Sequence, residues 1–238
     1  MNVIITGGSR GIGKAIAEAF AAEGATLFLC GRNELTLYNS VADLQTRYPG
    51  STVKAKPFDL SVKKNSKEFG TWVLAGLENT VSGKVDVLVN NAGIFTPGSV
   101  HNEAEGVLEK MMEINLYSAY HLTRVLVPSM IKARQGLIVN MCSIASLHAY
   151  ANGGSYSITK FALMGFSKNL REELKPYQVK VMAVYPGAVM TETWGDFDNS
   201  GARIMEATDV AAMILASSKL SPQAVVEDMV LRPLLGDL

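Results

Sequence analysis

One segment constrains this chain more than any other. An apolar, β-branched run, Val3–Thr6, breaks straight into Gly7-Gly8-Ser9-Arg10-Gly11-Ile12-Gly13 and continues as a helix. From Gly11 to Glu23 the apolar residues Ile12, Ile16, Ala19 and Phe20 fall on one helical face, and Gly24 supplies a stop. Strand, glycine-rich turn and helix, in that order, open a βαβ unit. The glycines read Gly7-x3-Gly11-x-Gly13 rather than G-x-G-x-x-G, but the physical demand is the same. The backbone must turn tightly, approach a pyrophosphate closely and aim helix N-terminal N–H groups at it. The binding residues predicted here are Gly7, Ser9, Arg10, Gly11, Ile12 and Gly13, with a side chain at Gly11 or Gly13 expected to fill the ligand's space.

The alternation continues along the chain. Strands are predicted at Thr26–Cys30, Thr52–Lys56, Val85–Val89, Leu137–Met141, Val179–Val184 and Val225–Leu231. Helices are predicted at Leu35–Arg47, Val62–Val81 (with Gly70 as a weak spot), Glu103–Arg134 (broken near Gly106), Tyr156–Leu174 and Asp209–Ser218. Strands that are apolar throughout, rather than alternating, belong in a sheet covered by helices on both faces. The pattern predicts α/β architecture: one doubly wound, Rossmann-type domain over residues 1–238, with a seven-stranded parallel sheet. Residues 188–207, with Trp194 and Phe197 among Gly195, Gly201 and polar residues, are expected to form a lid over the substrate.

Charge and cysteine usage narrow the function class. Lys plus Arg is 22 and Asp plus Glu is 22, so no nucleic-acid or anionic-membrane partner is expected. Cys30 and Cys142 lie in apolar stretches and read as reduced core residues of a cytoplasmic protein. No Cys/His cluster offers a metal site, no signal peptide is expected before "NVIITGG", and no apolar run reaches the ~18 residues of a membrane span. No G-x-S-x-G elbow occurs, which disfavours a serine hydrolase.

After the second strand the sequence reads Cys30-Gly31-Arg32-Asn33. An NAD site places a carboxylate there for the ribose hydroxyls. Arg32 stands there instead, with Arg10 inside the loop, and two guanidinium groups suit a 2′-phosphate. The expected cofactor is therefore NADP(H).

Tyr156 and Lys160 lie four apart and share one helical face, and no other tyrosine in the chain has a lysine at that offset. A free phenol has a pKa of ~10, and a nearby ammonium is expected to lower it and equip Tyr156 to move a proton. Ser143, just past the fifth strand, can bind a developing oxyanion. Its competing reading is a strand-end cap, with Ser146 the nearest rival. Asn115 lies in a helix that it suits poorly, either bending it to place a water or standing exposed. His148, close to Ser143, reads as a loop residue.

With these pieces in order, the chain resembles the short-chain dehydrogenases/reductases in their single-domain form. The resemblance rests on "TGGSRGIG", Asp59-Leu60, "NNAG", Asn115, Ser143, "YSITK" and "PGAVMT". It implies an NADP(H)-dependent oxidoreductase that exchanges a hydride between nicotinamide and a small carbonyl or alcohol. Asn115, Ser143, Tyr156 and Lys160 would form the catalytic tetrad, with Lys160, a water and Asn115 resupplying the proton. Asp59 and Leu60 would lie at the adenine, and Asn91, Ala92 and Gly93 at the adenosine side. Tyr156 and Lys160 would also touch cofactor, and Pro186, Gly187, Val189 and Thr191 would position the nicotinamide. A non-catalytic NADP(H) sensor is the alternative, but it has no use for all four tetrad residues. The apolar surplus on the helices around Met111–Lys132 and Phe161–Leu174 predicts a homodimer or homotetramer.

Overall fold

The computed structural model describes residues 1–236 and contains seven strands and seven longer helices. The strands are β1 (Asn2–Thr6), β2 (Thr26–Gly31), β3 (Thr52–Pro57), β4 (Val87–Asn90), β5 (Leu137–Met141), β6 (Lys180–Pro186) and β7 (Asp228–Leu231). The helices are α1 (Gly11–Ala22), α2 (Glu34–Arg47), α3 (Lys63–Leu77), α4 (Val107–Met112), α5 (Ser118–Ala133), α6 (Gly154–Leu174) and α7 (Ala207–Ser218). All neighbouring strands pair in parallel, in the order β3-β2-β1-β4-β5-β6-β7. This is the predicted doubly wound sheet. Its strand order reverses between β1 and β4, where a ligand crevice opens at the carboxyl ends of the strands.

The unbroken apolar strands are explained by burial on both faces. In β1, Val3 and Ile5 join the core under α1, α2 and α7, while Ile4 joins the core under α3, α5 and α6. In β2, Leu27 and Leu29 take the first side and Phe28 and Cys30 the second. Each such side chain contributes roughly 1.5–3 kcal/mol by burial. Cys30 and Cys142 are both buried and unpaired. Among the described residues, no helix is long and apolar enough to cross a membrane and no group of residues could hold a metal ion.

Three local differences from the sequence reading have physical causes. Gly70 does not weaken α3; it is buried where α3 meets α5, and a Cβ there would come within 2.7 Å of Val125 Cγ1. Gly106 adopts φ +84° and starts α4 at Val107, so Glu103 belongs to the preceding loop rather than to the helix. The long helix is then interrupted at Glu113–Tyr117 by a π-helical turn, a device that often marks functional positions.

Candidate active site

The glycine loop closes on protein before it meets any ligand. Gly7 and Gly11 adopt φ +66° and +52°, values that favour glycine. A Cβ on Gly13 would collide with the Gly7 carbonyl and would stand 2.5 Å from Asn91 Nδ2. A Cβ on Gly11 would press on Thr191 at 3.2 Å. The expectation that side chains at Gly11 and Gly13 would fill ligand space is corrected accordingly. These glycines let the loop seat against β4 and the segment after β6.

The seating is made by hydrogen bonds. Thr6 Oγ1 accepts from the backbone N–H groups of Asn91 and Ala92, both at 2.9 Å. Asn91 Nδ2 donates to the carbonyls of Thr6 and Gly7, at 2.9 and 3.3 Å. Asn91 thus fixes the loop by its side chain. The helix that follows carries no side-chain cap and no acidic residue in its first turn. An uncapped, positively polarised helix end inside a glycine cradle fits a pyrophosphate. Arg10 and Arg32 are exposed at its mouth. Further along the sheet edge, Asp59 accepts from the backbone and hydroxyl of Ser61, and Leu60 is buried beneath it.

The predicted tetrad is assembled at the carboxyl ends of β4 and β5. The Tyr156 phenol lies beside the Ser143 hydroxyl, closely enough for that hydroxyl to favour the phenolate. Ser143 Oγ also accepts from Ala145 N at 3.1 Å, while Ser146 Oγ accepts from Ser143 N at 3.2 Å. Ser143 is therefore both cap and Tyr156 partner, and Ser146 holds its backbone. Lys160 Nζ lies 5.6 Å from the centre of the Tyr156 ring and donates to the Met141 carbonyl at 2.7 Å. Phe95 packs edge-on against the Tyr156 ring, with 4.8 Å between centres.

Asn115 is 1% exposed, which excludes the surface reading. Its Oδ1 accepts from Ile94 N at 2.8 Å, and its Nδ2 donates to Ile94 O at 3.0 Å and to Thr159 Oγ1 at 2.9 Å. The π turn aims this amide across to α6, and it clamps the loop after β4. Gly93 lies between the two: a Cβ there would stand 3.2 Å from Asn115 Oδ1 and 3.7 Å from Lys160 Nζ.

The electrostatics depart from the sequence expectation. Burial raises the Tyr156 pKa, opposed by the Ser143 hydroxyl. Burial also pushes Lys160 down to about 8. Desolvation disfavours the charged form of each group, so in this structure Lys160 does not lower the phenol as expected.

The strand end after β6 is built from backbone contacts. Pro186 closes β6, and Gly187 N donates to Leu231 O at 2.7 Å. Val189 is buried and bridges to Met205, and Thr191 starts a short 3-10 turn at Glu192–Trp194. Within the 188–207 segment, the Trp194 and Phe197 rings pack in a tilted pair with centres 5.3 Å apart, and Trp194 Nε1 donates to Val189 O at 2.9 Å. His148 is exposed, as its reading as a loop residue requires.

Sequence reasoning missed two contributors. Thr159 is fully buried and links Asn115 to the Tyr156 carbonyl, to which its Oγ1 donates at 2.8 Å. Its position beside Lys160 was the available signal. Glu103 accepts from Ser155 N at 2.8 Å and from Ser155 Oγ. No local pattern marks it, because its partner lies 52 residues away.

Comparison with known proteins shows the family to which the chain belongs. Residues 1–200 match the family described as short chain dehydrogenase. Dehydrogenase/reductase SDR family member 7B of Xenopus tropicalis is 33% identical over 228 residues, covering 90% of this chain and 72% of that protein. Among solved structures, the alcohol dehydrogenase of Thermococcus sibiricus, complexed with 5-hydroxy-NADP, superposes with a TM-score of 0.88 at 28% identity, covering 98% of this chain and 96% of the other. The L-sorbose reductase of Gluconobacter frateurii, complexed with NADPH and L-sorbose, gives a TM-score of 0.87 at 26% identity, covering 97% and 94%.

Proposed function

Because the chain belongs to the short-chain dehydrogenases, a family of oxidoreductases, we propose that it interconverts a small carbonyl and a secondary alcohol with NADP(H), Tyr156 being the acid–base group. One observation carries the reading: a half-buried phenol beside the Ser143 hydroxyl, with a buried amine on the same helical face, in a domain whose first strand ends in a glycine cradle. NADPH supplies the hydride when bound. The loop from Gly7 to Gly13 would hold its pyrophosphate, and Arg10 and Arg32 its 2′-phosphate. Asp59 and Leu60 would meet the adenine, Asn91, Ala92 and Gly93 the adenosine side, and Pro186, Gly187, Val189 and Thr191 the nicotinamide side. The NADP(H) complexes of the two structural relatives support this choice of cofactor.

Tyr156 and Ser143 together hold the substrate oxygen, and Tyr156 donates its proton there on reduction. The raised pKa keeps the phenol in the protonated form that reduction requires, and positive charge from a bound oxidised nicotinamide would draw it back down. Lys160, at about 8, can lose and regain a proton near neutral pH and serves to recharge the phenol. Asn115, with its amide committed to Ile94 and Thr159, holds this machinery in register. Phe95 on the phenol ring, with the 188–207 segment as lid, gives the pocket aromatic walls that exclude water. Exposed Tyr117, Tyr120, Ile158 and Phe161 on the π turn, α5 and α6 support pairing into a homo-oligomer.

The test is oxidation of NADPH, followed by absorbance over a panel of ketones and aldehydes, with NADH in parallel. Tyr156→Phe is expected to lower kcat by ~10²–10⁴-fold, the usual worth of a positioned acid–base group, with NADPH affinity nearly unchanged. A Tyr156→Phe enzyme of full activity refutes the assignment. Tight dinucleotide binding with no turnover of any substrate favours the sensor.

A further inference from the structure

The first turn of α6 has a problem that its own sequence cannot solve. A helix start leaves backbone N–H groups without intrahelical partners. They are usually met by a Ser, Thr, Asp or Asn at the N-cap. Here the N-cap is Gly153 and the first helical residue is Gly154, and neither has a side chain to offer. The acceptor comes instead from the loop between β4 and α4. Glu103 Oε1 takes the Ser155 N–H at 2.8 Å, and Oε2 takes the Ser155 hydroxyl. Ser155 is 3% exposed and directly precedes Tyr156.

The surroundings are shaped to that carboxylate. A Cβ on Gly154 would collide with Glu103 Oε1, and Gly154 adopts φ +37°. A Cβ on Gly98 would stand 2.8 Å from Glu103 Cγ. Gly98 N donates to Asn152 O at 3.1 Å, and Asn102 N and Glu103 N both donate to Ser99 O at 3.0 Å. The same loop begins at Ile94, which Asn115 grips, and at Phe95, which lies on the Tyr156 ring. It therefore touches Tyr156 through its ring and through the residue before it.

We propose that Glu103 is a positioning residue for Tyr156: its carboxylate caps α6 through Ser155 and so fixes where the phenol stands against Ser143 and the pocket wall. This rests on the reading of Tyr156 given above. A carboxylate at a helix N-terminus is favoured by the helix dipole as well as by the hydrogen bonds. A tether that only fastened a surface loop would leave the chemical step alone. A tether that sets the phenol must show in kcat.

The experiment compares Glu103→Ala and Glu103→Gln with the unmodified chain, measuring kcat and KM for one turned-over ketone, NADPH affinity by fluorescence titration, and backbone hydrogen exchange. Glu103→Ala is expected to lower kcat about tenfold, the rate equivalent of a lost cap and charged hydrogen bond. NADPH affinity should stay within about twofold, and exchange should rise at Ser155 and Tyr156 but not in the first turn of α1. Glu103→Gln, which keeps an oxygen for the Ser155 N–H, should recover most of kcat. Unchanged kcat in Glu103→Ala overturns the proposal. So does a kcat loss matched by equal loss of NADPH affinity, or a Gln variant no better than Ala. If Glu103→Ala does not fold, Glu103→Asp takes its place. Its carboxylate is one methylene short of Ser155, and a kcat equal to the unmodified chain's overturns the proposal. If the unmodified chain turns over no carbonyl, the function fails, while the exchange arm still reports whether Glu103 holds α6; unchanged exchange there refutes the tether itself.

Discussion

Two helices begin at the carboxyl end of the sheet, and they begin in opposite ways. The start of α1 has no side-chain cap, and its nearby cation, Arg10, is exposed. The start of α6 is capped by a carboxylate from another part of the chain, and its cation, Lys160, is buried. The difference tracks what each end must do. On the proposed reading, the first leaves its N–H groups to a dinucleotide phosphate, and any resident acceptor would compete. The second must hold a phenol in one place, so its N–H groups are satisfied within the protein.

The contrast can be broken most directly at α1. Arg10 has extended backbone, φ −160° and ψ 171°, already suited to an N-cap. Arg10→Asp should cap α1 from within and repel phosphate. NADPH affinity is expected to fall about a hundredfold, as for a lost charged hydrogen bond plus a new repulsion, while the ligand-free protein loses no thermal stability. Unaltered NADPH binding in a fluorescence titration would show that α1's open end is not where the anion goes.

The buried cation of α6 can be read through pH. Its folded pKa of about 8 lies below the 10.5 of a lysine in water. Below both values the two states carry the proton alike, and between them the unfolded chain binds more. Stability from this group therefore rises with pH across that window. Relative to Lys160→Met, the unmodified protein should gain on the order of 2 kcal/mol between pH 8 and pH 10. Taking the difference cancels the opposing titration of Cys30, whose pKa burial raises and which has no contact with Lys160. Denaturant melts at each pH check this, and parallel pH curves for the two proteins would refute a depressed lysine.

Arg32 sharpens the picture at the other rim of the cradle. Arg32→Ala should reduce the preference for NADPH over NADH, as a ratio of kcat/KM, by about tenfold, the worth of one guanidinium–phosphate contact. An unaltered ratio would move the 2′-phosphate contact elsewhere. The smallest effect is expected at α2, which is capped locally by Asn33 Oδ1 accepting from Thr36 N at 2.8 Å. Asn33→Ala should cost ~1 kcal/mol, or ~2–4 °C in Tm. A larger loss, or a change in turnover, would mean that this cap does more than finish its own helix.

These helix ends also show what could be read from the chain. The Asn33 cap lies three residues from its acceptor's target, and the Tyr156–Lys160 pair shares one face, so both follow from local spacing. The Asn115 interaction could be suspected from a poor helix former in a helix. Its partners, Ile94 and Thr159, could not, because one is 21 residues back and the other 44 ahead. Gly70 looked like a weak point for the same reason: the Val125 side chain that demands it is on another helix. The sign of the Tyr156 shift is not legible in the sequence, which displays neighbours in number but not the loss of water around them.

By itself, the sequence determined the alternation of strand and helix, the glycine loop after β1 and the shared helical face of Tyr156 and Lys160. Each is a property of spacing within a few residues, where backbone geometry alone decides which side chains share a face. Only the tertiary structure decided that Gly13 is required by Gly7 and Asn91, that Asn115 is a clamp, and that Glu103 finishes α6. Those depend on which distant segments the sheet brings within hydrogen-bond reach, and no local pattern encodes that proximity.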